Sequence, residues 1–73
     1  MSDKREKFVR LAESRVNKTL KDVQLIGNLS NSAAYEYTDE DVTKIFRTIQ
    51  GALEKSKQRF ADASAKARGS FKL

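Results

Sequence analysis

The chain contains neither histidine nor cysteine. That removes the common zinc ligands, the thiol nucleophile and the side chain that most often moves protons near neutral pH. No serine has a candidate base beside it, and no glycine-rich phosphate loop occurs. Two charged groupings remain. Asp39, Glu40 and Asp41 form an acidic triplet, but a hard cation needs more oxygen ligands than these supply, and helix-start electrostatics accounts for them. Lys4, Lys7, Arg10, Lys18 and Lys21, with Arg15 at one edge, project onto one side of a single helix. Such a row, diluted near its ends by Asp3 and Asp22, is either an ordinary solvated face or a strip that neutralises phosphates. The expectation is a non-enzymatic protein with no cofactor, no metal site and no catalytic residue.

The elements that would carry these groups are legible from Tyr37-Thr38-Asp39-Glu40-Asp41-Val42. Thr38 is placed to cap the free amides of a first turn, and the acids sit where the helix dipole favours anions. Asp41 is a short-armed capping-box partner, and Tyr37 and Val42 have the spacing of a hydrophobic staple. Upstream, Ser2 and Asp3 read as a helix start. Phe8, Ala12, Val16, Leu20 and Val23 then recur at helical spacing, with Val9 and Ile26 widening the stripe. Asp3/Lys7 and Glu6/Arg10 are spaced as supporting i,i+4 pairs. Gly27 is expected as a left-handed stop. The first helix should span residues 3–26, about 36 Å at the helical rise, and its basic row about 26 Å from Lys4 to Lys21.

Residues 27–37 are expected to form a loop, since Asn28, Ser30, Asn31 and Ser32 favour turns. Leu29, Tyr35 and Tyr37 should fold back as a plug; the competing reading of the tyrosines is a stacking platform or a partner surface. The second helix should span residues 39–63, ending between Ala63 and Ala67. Its apolar residues are Val42, Ile45, Phe46, Ile49, Ala52, Leu53 and Phe60, a stripe about 120° wide. Glu40/Lys44 and Asp62/Lys66 add outward pairs. Gly51 falls on the opposite side, either a tolerated defect or a point of close approach by a partner. Residues 64–73 read as a basic flexible tail, in which Phe71 and Leu73 are either incidental or a short docking peptide.

Seventy-three residues make one small domain, and chains of this size need disulfides, metal or self-association to supplement a thin core. Only the last is open here. Two helices joined by one loop are expected to form an antiparallel hairpin, all-α in class. The stripes are broader than one helix can cover. Phe8, Val16 and Leu20 of the first helix, and Ile45, Phe46, Ile49, Leu53 and Phe60 of the second, are therefore the expected protein interface. A homodimer closing into a four-helix bundle is the simplest cover, and a larger partner protein is the alternative.

Fifteen basic residues against ten acidic give a net charge of +5. The excess lies in the first helix and the tail, so Lys66, Arg68 and Lys72 extend the nucleic-acid-binding row. Asn17 and Gln24 are the amide side chains flanking it that could touch base edges. No apolar run is long enough to span a membrane, and the start lacks the apolar segment of a signal peptide, so residence in the cytoplasm is expected.

The segments Leu25-Ile26-Gly27-Asn28-Leu29-Ser30-Asn31, Tyr35-Glu36-Tyr37-Thr38-Asp39-Glu40-Asp41-Val42 and Ile45-Phe46 resemble a family of short uncharacterised bacterial proteins, often associated with mobile elements. The resemblance covers about residues 5–60. It implies a bacterial, cytoplasmic, accessory role and brings no functional residue with it. Three functions follow as expectations: an accessory protein that binds DNA or RNA, a regulator or inhibitor that binds a larger protein through its apolar face or tyrosine loop, and a housekeeping adaptor whose charge serves solubility.

Overall fold

A computed structural model describes residues 2–68, with side chains through Lys66. The described chain is helical throughout apart from one short connection, and no strand occurs in it. Its elements are α1 (Asp3–Gly27), a 3-10 turn (Asn28–Ser30) and α2 (Asp39–Arg68).

α1 begins where the sequence places it. Ser2 is extended, and its Oγ accepts the Arg5 amide at 3.1 Å, satisfying one of the donors that a helix start leaves unpaired. The other end differs from expectation. Gly27 is the last helical residue and stays right-handed, at φ −60° and ψ −30°. No left-handed stop forms there. The chain instead tightens into the 3-10 turn, whose i→i+3 bonds give the terminal carbonyls partners without a reversal of backbone hand. Asn31 then ends the run. Its carbonyl accepts the amides of Ala34 and Tyr35, both at 3.0 Å, and its Oδ1 accepts the Ala33 amide at 3.1 Å. One residue thus organises the turn through backbone and side chain together.

α2 opens on a complete capping box. Thr38 Oγ1 accepts the Asp41 amide at 3.1 Å, and Asp41 Oδ2 accepts the Thr38 amide at 3.0 Å. Aspartate reaches what the motif usually assigns to glutamate. The Val42 amide, bonded to the Thr38 carbonyl at 3.2 Å, starts the helical ladder. The helix then continues through Arg68, beyond the expected end at residues 63–67, and takes in the first half of the expected tail. Ala61, Ala63, Ala65 and Ala67 explain the extension, since alanine is the strongest helix former and needs no apolar face to propagate. A Cβ added at Gly51 would meet nothing within 4 Å, in keeping with its outward position.

Among the described residues none is buried. Val9, Leu11, Ala12 and Ile26 of α1, and Val42 and Ile49 of α2, are half-buried by their own neighbours along the helix. The rest of both stripes is open. Leu29, Tyr35 and Tyr37 do not form the expected plug, being 47%, 51% and 41% exposed. The turn beside them is closed by backbone amides bonded to Asn31.

Candidate functional site

α1 positions the basic row. Helical spacing sets Lys4, Lys7, Arg10, Lys18 and Lys21 on the side opposite Ala12, Val16 and Val23, with Arg15 at its edge, and all six basic side chains are exposed. Their electrostatics are uneven. Lys18 Nζ donates to Asp22 Oδ2 at 3.0 Å, and both groups remain well exposed. A solvated pair of this kind contributes little to stability, but it offsets the charge of Lys18. Among the described residues it is the ion pair that forms, so Lys4, Lys7, Arg10, Arg15 and Lys21 have no carboxylate within 4.0 Å. The pairs expected at Asp3/Lys7, Glu6/Arg10, Glu40/Lys44 and Asp62/Lys66 stay open. Water screens these exposed charges, and Asp62 instead accepts from Gln58 Nε2 at 2.9 Å.

Lys66 is exposed near the end of α2. The side chain of Arg68 and the whole of Phe71, Lys72 and Leu73 lie outside the described residues. Of the acidic triplet, Asp41 is committed locally, closing the capping box. Among the described residues no three metal-binding side chains come together, and no helix is long and apolar enough to cross a membrane.

Set against known protein families, curated proteins and solved structures, the chain matches none.

Two features of α1 escaped the sequence reading. Arg5 is a seventh cation, and it sits on the apolar side, its guanidinium 5.8 Å from the centroid of the Phe8 ring. The i,i+3 spacing of Arg5 and Phe8 was the available signal. Leu11 and Leu25 project into the basic row, and Leu25 is 54% exposed. The row therefore alternates cations with aliphatic surface. That composition suits a surface on which sugar and phosphate both lie.

On α2 the expected interface residues share one side. Ile45, Phe46, Leu53 and Phe60 are 38%, 42%, 58% and 66% exposed, and Ile49 is half-buried among them. On α1, Phe8, Val16 and Leu20 are 48%, 55% and 56% exposed. Each helix thus presents apolar surface on one side and polar groups on the other.

Proposed function

We propose that the chain is a small non-enzymatic accessory protein of the bacterial cytoplasm. It folds as an antiparallel helical hairpin, pairs with a second copy into a four-helix bundle, and binds DNA or RNA through the basic side of α1. The observation that carries this reading is that six exposed cations share one side of α1, five of them with no carboxylate within 4.0 Å among the described residues. Cations gathered on one side with no acid against them leave a charge that phosphates would neutralise. Two-fold symmetry would double the row, and Lys66, Arg68 and Lys72 would add to it. Phosphate contacts of this kind set position without reading bases, so binding is expected to be indifferent to sequence.

The test is binding to a short duplex and to a single strand of RNA over a range of salt. Affinity should fall steeply with salt. Replacing Lys7, Arg10, Lys18 and Lys21 by Gln should flatten that dependence, each lost phosphate contact removing about 0.7–0.9 from the logarithmic slope. Absence of binding, or binding indifferent to salt, overturns the reading.

A second reading rests on Tyr35, a residue 51% exposed beside a turn held by Asn31. Exposed tyrosines are common anchors for protein partners, so the chain would act as a regulator or inhibitor of a larger protein. A bound protein that is lost on Tyr35→Ala but kept after the four charge changes would favour it.

A further inference from the structure

The apolar side of α2 holds a periodicity finer than an amphipathic stripe. Val42, Phe46, Ile49 and Leu53 are followed by Ser56, Phe60 and Ala63, spaced four, three, four, three, four and three residues apart. This is the alternation of a coiled-coil seam, which supercoils a helix against a partner of the same period. The seam residues also differ in size along the helix. Large Phe46 and Leu53 lie in the first half, and small Ser56 and Ala63 in the second.

Charge is divided along the same helix. Asp39, Glu40 and Asp41 open it, whereas Lys66 and Arg68 are the charged residues at its end. A parallel partner would bring the acidic starts together and stack Phe46 on its own copy. An antiparallel partner would bring each acidic start to the other's basic end, and would oppose Phe46 and Leu53 with the small Ala63 and Ser56.

We propose that α2 of one copy pairs antiparallel with α2 of a second copy, about a two-fold axis between Glu54 and Lys55. In that register Phe46 faces Ala63 of the second copy, Leu53 faces Ser56, and Ile49 faces Phe60. Ile45 and Ala52 widen the seam along one edge, leaving apolar surface for a further helix. The proposal rests on the self-association reading above and adds to it the helix, the direction and the register.

Because the chain has no cysteine, nitroxide labels can be placed singly on Lys44→Cys and Gln58→Cys, two exposed sites turned away from the seam. Helical rise and interaxial spacing give label separations of about 40 Å at position 44 and about 27 Å at position 58. Both should appear by dipolar spectroscopy in the homodimer. Equal separations of about 25 Å at both sites indicate parallel helices; they overturn the register and leave self-association standing. Absence of any dipolar signal in concentrated protein overturns both. A size exchange tests the layers separately. Phe46→Ala and Ala63→Phe should each weaken dimerisation by about tenfold or more, and the double variant should recover most of the loss. Antiparallel distances without that recovery overturn the assigned layers.

Discussion

Leu53→Ala tests most directly the inference that the stripes are covered by a second copy. Leu53 is 58% exposed in the single chain. Burying a leucine fully stabilises by about 1.5–3 kcal/mol, so covering the open part of this one contributes about 1–2 kcal/mol, including the cavity that alanine would leave. A two-fold dimer contains the residue twice. The loss is then about 2–4 kcal/mol per dimer, which raises the dissociation constant by about 30- to 700-fold. Sedimentation equilibrium from low micromolar to submillimolar concentration measures it. Leu25→Ala is the matched control, because Leu25 is 54% exposed yet projects onto the basic side of α1. It should leave the constant within about threefold. Equal effects of the two variants would mean that apolar area in general, and not the stripe, drives association. A parent chain that stays one chain in mass while unfolding cooperatively, independent of concentration, refutes the reasoning outright.

Other changes probe other parts of the structure. Thr38→Ala removes the capping box and should cost about 1 kcal/mol, lowering the melting temperature of the assembled protein by about 4–8 °C. Gly51→Ala should raise stability by up to about 1 kcal/mol without altering the dissociation constant, since the added methyl meets no neighbour within 4 Å; a weaker dimer would show instead that a partner backbone approaches there. Gly27→Ala should also be neutral or stabilising by thermal melt, because Gly27 has a right-handed φ of −60°, whereas a left-handed stop would make the same change destabilising. Asp22→Asn should strengthen nucleic-acid binding in a low-salt titration by releasing Lys18 from its pair, and unchanged affinity would remove Lys18 from the binding row.

Helix existence was legible because both helices carry period-3.6 apolar patterns, and their starts were legible because Ser2, Thr38 and Asp41 act through local chemistry alone. The ends were harder. A glycine after the last apolar residue permits a left-handed stop but does not impose one, and Asn31, four residues on, took over the termination. The extension to Arg68 rests on alanine propensity, which an apolar periodicity does not report. The side bearing the basic row followed from phase, but which lysine would spend its charge on a neighbour did not. Lys18 and Asp22 close a pair in the less favourable order, while the better-oriented Glu6 and Arg10 stay open. The turn beside Tyr35 is closed by backbone amides bonded to Asn31, which composition could only outline.

The reciprocal bonds between Thr38 and Asp41 have a consequence for how this protein tolerates change. They set the zero of α2 from within, independent of what precedes Tyr37. Residues gained or lost between Ser32 and Glu36 would alter the reach of the connection while every apolar side chain from Val42 onward kept its angular phase. Length variation there would disturb the turn around Asn31 and leave the face of α2 in phase, whereas a single residue inserted between Asp41 and Val42 would turn the whole downstream face by about 100°.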